Sequence, residues 1–381
     1  MNGKSVLVSG ASLAGPTLAY WLARHGFEVT VVERATKPRE GGSPIDVRGP
    51  AIDVAGSMGI LPQIVAAKTN TQGLEYVDGA GKRVAALGTD ALAEDPGRDI
   101  ELEREDLVNI IYDAAKNDVD YVFEDSIETL TQADAGVDVT FARGGDRRFD
   151  LVVGADGLHS IVRRLAFGAE SRFVRHLGVY VAIASVDPSL GRKDWGVLHN
   201  SPGKLAGVYS FHGDAAAVFM FRSPELSYDY HDADQQKKLV SEVFAGESWQ
   251  VPRLLDALGG ADDFYFDSVS QVRMVSWSQG RVTLVGDAGY CPALLSGMGT
   301  TLAMVGASVL AGELAAAPGD HRRAFARYEE VHRPLVDKAQ AGVMRGAGML
   351  VPATKSAIWR RNQLTRIIPL LVAARRLGRR H

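Results

Sequence analysis

Three stretches set carboxylates and glycines where a hydrophobic run gives way to a helix. In residues 281–301, RVTLVGDAGYCPALLSGMGTT, an apolar strand over 282–285 stops at Gly286-Asp287. A loop holding Pro292 follows, and Gly297-Met298-Gly299-Thr300 opens an apolar helix. An acid at a strand's end, with glycines leading into a helix N-terminus, suits a ligand carrying a sugar-phosphate and an electron-rich ring. Near the N-terminus, Gly10-Ala11-Ser12-Leu13-Ala14-Gly15 joins a strand over 5–9 to a helix over 16–25, and a second strand over 28–32 leads to Glu33 and Arg34. This is the spacing of a dinucleotide-binding unit: the helix N-terminus meets a pyrophosphate and the acid takes ribose hydroxyls. Ser12 stands where the fingerprint has its middle glycine. The third stretch, 149–163, ends a hydrophobic strand in Gly154-Ala155-Asp156-Gly157 and starts a helix with Ser160 and Arg163.

Around these turns the chain reads as alternating strands and helices. The loop 37–50 is rich in Gly, Pro and charge, and offers Arg39, Asp46 and Arg48 as polar contacts or as a solvated surface. A hairpin is predicted over 74–87, turning at 78–81, and a helix from Arg104 to about 116. By composition Arg104 pairs with Glu101 or Asp106. Residues 171–274 change character: runs over 179–185, 207–211, 217–222 and 265–274 alternate and are rich in aromatics, which predicts an antiparallel sheet with a turn at 212–214. Tyr180, Tyr209, Phe211, Phe219 and Phe221 either line a pocket on that sheet or pack its core. His212, on the turn, is read as solvated rather than catalytic. Helices are expected over 301–315 and from 320 to about 344, and a basic amphipathic helix over 357–380, broken near Pro369.

The chain has 381 residues, enough for two domains, with 23% charged and 46% hydrophobic residues. Its net charge is −4, but residues 355–381 carry eight Lys or Arg and no acid, leaving −12 on the rest. An acidic body excludes nucleic acid as a partner. One cysteine, Cys291, forbids an internal disulfide, fits a reducing compartment, and is read as packing. No apolar run is expected to span a membrane and the first strand leaves no room for a signal peptide, so a cytoplasmic protein is expected. For the terminal helix, packing against the body is favoured over binding a membrane surface.

Three ligand-facing turns in this order resemble the class A flavoprotein monooxygenases, the aromatic hydroxylase family that includes para-hydroxybenzoate hydroxylase and the tetracycline-inactivating monooxygenases. The resemblance covers nearly the whole chain and is weakest over 171–274. It implies an α/β fold: a Rossmann-like FAD-binding domain, discontinuous over 1–70, 98–170 and 275–345, an antiparallel-sheet substrate domain over 71–97 and 171–274, and a C-terminal helical segment over 346–381. The ADP part of FAD would lie on Gly10, Ser12, Leu13, Ala14 and Gly15 with Glu33 on the ribose. Asp156, Gly157 and Arg163 match a motif implicated in FAD and NAD(P)H binding, and Gly286-Asp287 one whose aspartate contacts the ribityl chain. Arg104 matches a flavin-side arginine, which reverses the salt-bridge reading, and Arg39, the pair Gly41-Gly42 and Asp46 match cofactor contacts of the tetracycline-inactivating members. Arg34, Arg48, Pro292, Gly297, Met298 and Gly299 complete the expected cofactor shell. Tyr290 departs from the histidine usual in the last motif.

The implied activity is hydroxylation of an aromatic or polyketide-like molecule, an antibiotic such as a tetracycline among them, with NADPH or NADH as reductant and molecular oxygen as co-substrate, through a flavin C4a-hydroperoxide. Ground-state oxygen reacts poorly with paired-electron side chains, so the cofactor must carry the chemistry. Backbone amides of Gly297, Met298, Gly299 and Thr300 would stabilise negative charge on reduced flavin, and Pro292 with the apolar sheet would exclude water. No side chain presents itself as a catalytic base, and no metal site is expected. A monomer or homodimer fits. The alternatives are a flavin-dependent halogenase or reductase, which would want a W-x-W-x-x-P segment that 277–279 does not supply, or a FAD-binding protein that sequesters a ligand without oxygenating it.

Overall fold

The protein is described here as a computed structural model covering residues 3–38, 44–92, 97–230 and 232–378. It divides into two compact units, one of Met1–Lys68, Leu102–Arg175 and Ser270–Val343, the other of Thr69–Glu101, His176–Val269 and Met344–His381. The C-terminal segment therefore groups with the second unit.

The first unit is built on a six-stranded sheet in the order Ser278–Gln279, Val282–Leu284, Leu151–Gly154, Ser5–Ser9, Glu28–Glu33 and Asp120–Phe123. All neighbours but the first pair run parallel. The strands are continuous apolar runs because helices cover the sheet, and Val6, Leu7, Val8, Val152, Val153 and Leu284 are all inaccessible to solvent. Parallel order brings the ends of three adjacent strands, at Ser9, Gly154 and Leu284, to one edge. The helix Gly299–Ala316 packs against Ala14–Arg24, Pro50–Ser57 and His321–Ala341. It carries no charged residue but Glu313, and its alanines and glycines let these neighbours approach. Ile127–Ala133, Gly136–Phe141 and Gly145–Phe149 form a separate three-stranded antiparallel sheet.

The second unit holds a seven-stranded sheet in the order Tyr265–Val272, Val174–Ser185, Asp214–Arg222, Lys204–Phe211, Trp195–Ser201, Gly73–Val77 and Arg83–Gly88. The hairpin over 73–88 and the turn at His212-Gly213, where His212 takes φ 47°, form as predicted. The strand Trp195–Ser201 and two helices, Ala233–Phe244 and Val251–Gly260, were not foreseen. Both helices are amphipathic, and Val240, Phe244, Leu254 and Leu258 seal one face of the sheet.

Two further expectations are corrected. The terminal helix runs unbroken over Lys355–Gly378. Pro369 removes a single N–H from the ladder and the turns on either side carry the helix through, as they do around Pro334 in His321–Ala341. One helix, Gly299–Ala316, does have the length and apolar character to cross a membrane, with mean hydropathy 1.3, yet it is a core helix packed on three others.

Candidate functional site

The three turns meet at the strand ends of the first unit, and glycine is required at each meeting. Gly10 takes φ 107°, and a Cβ there would lie 2.6 Å from the Ala155 carbonyl oxygen. At Gly15 a Cβ would strike the Gly10 carbonyl oxygen, so the first helix seats directly on its own turn. Gly286 takes φ 66°, and a Cβ there would lie 2.9 Å from the Ala14 methyl. Ser12 accommodates the missing glycine by turning its side chain to Arg104, whose Nη2 donates to Oγ at 2.9 Å. Glu33 accepts from the amide of Ala11 at 2.8 Å and from that of Ala35 at 3.0 Å, which fixes a carboxylate at the mouth of the first turn. Arg34 beside it is exposed.

Between residues 282 and 293 only Asp287 is exposed; every neighbour on the turn is buried. Its carboxylate thus faces out of a closed turn. The surrounding protein raises the pKa of Asp287 above the ordinary aspartate value, while the Arg104 charge and a bond from Cys291 oppose that shift. Ser12, Arg104 and Asp287 form one polar group drawn from three distant parts of the chain. Cys291 is in no disulfide and is buried, its thiol donating to the Ser270 carbonyl at 3.6 Å.

Helix N-termini separate the site from the scaffold. Ala14–Arg24 has no side-chain cap and no acid in its first turn, and Gly299–Ala316 has neither. Their amides are open to a ligand's negative charge. The helix Ile161–Phe167 is different, because Ser160 Oγ accepts from the Arg163 amide and Asp156 Oδ2 accepts from Ile161 and Val162 at 2.7 and 3.1 Å. Asp156 Oδ1 takes the Ser160 hydroxyl at 2.5 Å. Burial pushes the Asp156 carboxyl up against these bonds. Asp156, expected on the cofactor, therefore spends both oxygens capping its own helix. Gly157, at φ 82°, supplies the turn before that cap.

Arg163 is likewise corrected. It is wholly buried, donating to the Ala288 carbonyl at 2.9 Å, the Leu158 carbonyl at 2.6 Å and Glu170 at 3.0 Å. It is a clamp between the second turn and the third, with no guanidinium surface left for a ligand. Burial raises Glu170, but the bonds from His159 and Arg163 outweigh this and hold its carboxyl below the usual range.

Two of the four proposed backbone donors are also spent. Gly297 N–H goes to the Leu294 carbonyl at 3.3 Å and Met298 N–H to Ser296 Oγ at 3.0 Å, which leaves Gly299 and Thr300 of the expected donors. Arg48 pairs with Asp46 at 2.8 Å, and its carbonyl accepts from Thr301 at 3.2 Å, which ties that loop to the start of the helix. Arg39 and the pair Gly41-Gly42 lie outside the described residues. Pro292 is buried, its carbonyl accepting from Gln271 at 3.1 Å. Gln340 Nε2 reaches the carbonyls of Val272, Tyr290 and Cys291 at 2.9 to 3.2 Å. These two glutamines brace the loop after Asp287; nothing local in the sequence marks them.

Tyr290 does not face the cleft. Its ring lies 4.6 Å from that of Trp277 and 5.0 Å from that of His332, and its hydroxyl shares a 3.0 Å bond with Tyr328, which also reaches the Leu284 carbonyl. Gly306, on Gly299–Ala316, leaves the space the Tyr290 hydroxyl occupies. The change from histidine therefore alters the packing behind the turn, away from the exposed face that Asp287 marks.

In the second unit, Tyr180, Phe219 and Phe221 are at most 2% exposed and belong to the core closed by Ala233–Phe244 and Val251–Gly260. They are packing residues, and their assignment to a substrate pocket is withdrawn. Tyr209 and Phe211 lie on the opposite face, because Phe219 pairs with Ala206 and Tyr209 with Ala216. Tyr209 is half-buried and donates to Glu101 at 2.6 Å.

Residues 4–341 match the family described as FAD binding domain. The chain is 46% identical over 343 residues to uncharacterized protein Rv1260 of Mycobacterium tuberculosis (strain ATCC 25618 / H37Rv), spanning 88% of this chain and 92% of that protein. It is 42% identical over 340 residues to a flavin-dependent monooxygenase of an unknown prokaryotic organism, spanning 89% and 88%. The crystal structure of tetracycline destructase Tet(55) superposes with a TM-score of 0.85 at 39% identity, over 97% of each chain.

Proposed function

The chain belongs to the FAD-binding-domain family and is an FAD-dependent monooxygenase; from that premise we propose that it hydroxylates a polycyclic, phenol- or enol-bearing molecule of the tetracycline kind, consuming NADPH or NADH and molecular oxygen. The observation that carries this reading is the grouping of an exposed Asp287, the Arg104–Ser12 pair and the uncapped start of Gly299–Ala316 at one sheet edge. Bound there, FAD supplies the reaction with oxygen that closed-shell side chains cannot.

The chain's residues do the holding and the electrostatics. Glu33, fixed by two amides, keeps lone pairs for ribose hydroxyls, and the open N-terminus of Ala14–Arg24 receives the pyrophosphate. Asp287 would accept from the ribityl chain. The amides of Gly299 and Thr300, fixed in place by the helix start, would offset negative charge on the ring system. Tyr209 and Phe211, on the sheet face away from the two helices, are the aromatic contacts retained for substrate. The tetracycline assignment is supported by the likeness to Tet(55) over nearly all of both chains.

The test is the visible spectrum of the purified protein, followed by NADPH and NADH oxidation with and without tetracyclines. Flavin absorption and substrate-stimulated consumption are expected. A preparation still colourless after incubation with FAD would refute the cofactor site, and stimulation by simple phenols but by no tetracycline would refute the substrate class. Asp287→Ala should weaken FAD retention by about 1–3 kcal/mol, since a ligand hydroxyl loses its acceptor.

A further inference from the structure

The terminal helix Lys355–Gly378 has two distinct faces. Its inner face is fixed to the second unit. Arg361, 3% exposed, stacks 3.7 Å from the Tyr76 ring centroid and donates to Asn200 Oδ1 at 2.8 Å and to the Met349 carbonyl at 3.0 Å. Thr365, one turn on, is wholly buried. The outer face presents large apolar side chains to solvent: Trp359 is 63% exposed, Leu364 56% and Ile367 48%. At 100° per residue these three fall within one half of the helix, with Lys355, Arg360 and Arg366 exposed among them.

We infer that this face docks on an anionic lipid surface. The charge argument is specific to the segment, since residues 355–381 hold eight Lys or Arg and no acid while the rest of the chain carries −12. A negatively charged bilayer attracts this basic, acid-free segment, whereas the net charge of the rest of the chain opposes it. An acidic protein partner would match the bases but gain nothing specific from Trp359, Leu364 and Ile367. A bilayer interface matches both, because it accepts indole and aliphatic groups at headgroup depth beside basic side chains. Because Arg361 anchors the inner face, the helix meets lipid without leaving the sheet. The inference departs from the expectation that no membrane is involved, and it does not depend on the identity of the substrate.

The test uses full-length holoprotein floated with vesicles of phosphatidylglycerol and phosphatidylcholine in equal parts, and with phosphatidylcholine alone, beside light scattering for oligomeric state. Flotation with the anionic vesicles alone, abolished by high salt, is expected. The pair Lys355→Glu and Arg360→Glu should lower partitioning by at least about 25-fold, at roughly fivefold per basic side chain. Trp359→Ala with Leu364→Ser should also abolish flotation. These four side chains are exposed, so the variants should keep the wild-type flavin spectrum and circular dichroism, which separates lost binding from lost folding. Wild type that stays unbound, or variants that float as well as wild type, would overturn the inference. A dimer that the variants dissociate, without flotation, would assign the face to a second copy of the chain instead.

Discussion

Gly306→Ala puts the packing behind the Asp287 turn to a quantitative test. In an ordinary helix interior this change gains about 1 kcal/mol of propensity. Here the new methyl would clash with Tyr290 Oη and stand 2.9 Å from His332 Nε2 and 3.1 Å from Tyr290 Cζ. The ring cannot retreat, since Trp277 packs 4.6 Å away and Tyr328 holds the hydroxyl at 3.0 Å. Overpacking costs about 1–3 kcal/mol, and breaking the Tyr290–Tyr328 bond costs about 1 kcal/mol more. The variant should therefore lose about 1–3 kcal/mol net of the propensity gain. Tyr290→Phe removes the clash with Oη and leaves Tyr328 its other acceptor, the Leu284 carbonyl at 3.0 Å. Alone it should cost about 1 kcal/mol. Combined with Gly306→Ala, it should leave a protein about 1–2 kcal/mol more stable than the sum of the two losses, as expected for residues in contact. Urea unfolding of the four proteins, followed by circular dichroism and by flavin release, measures this. A stabilising Gly306→Ala, or strict additivity, would refute the packing argument.

His332, 1% exposed, is held at a pKa of about 4 by burial, below the ordinary 6.5. Between those values the unfolded chain binds more protons than the folded one, so stability falls as pH drops from 6.5 to 4, by about 3 kcal/mol in all; His332→Gln should flatten that part of the pH profile in denaturant titrations. Arg163→Met leaves the Ala288 and Leu158 carbonyls unpaired and should cost about 2–5 kcal/mol, with FAD retention falling in parallel. Arg163→Lys should not rescue it, because one ammonium cannot reproduce the planar fork that reaches both carbonyls and Glu170. Phe219→Leu should lower the unfolding midpoint through a loss of about 1 kcal/mol while leaving the substrate KM unchanged; a raised KM at unchanged stability would return Phe219 to the pocket.

The turns were legible because their signals are local: a glycine, an acid and a helix start lie within a few residues of one another at the end of an apolar run. The fate of individual polar atoms was not. Arg163 finds its carbonyl partner 125 residues away, and Asp156 looks like a ligand until its helix is seen to need a cap. Gly297 and Met298 sit in the expected segment, but a short turn through Leu294 and Ser296 consumes their amides. The five aromatics of the second sheet read alike in the sequence; pairing register puts Tyr209 and Phe211 on one face and Tyr180, Phe219 and Phe221 on the other, which two unforeseen helices cover. Tyr290 reads as a departure at the motif and becomes intelligible only beside Gly306, on another helix.

The central strand Leu151–Gly154 is flanked on one side by Ser5–Ser9 and on the other by Val282–Leu284. Some 280 residues must therefore be made before the sheet can close, and Asp287, the acceptor proposed for the ribityl chain, arrives with that last partner. Truncation ahead of residue 282 would remove the strand beside Leu151–Gly154, so such a chain should take up no flavin.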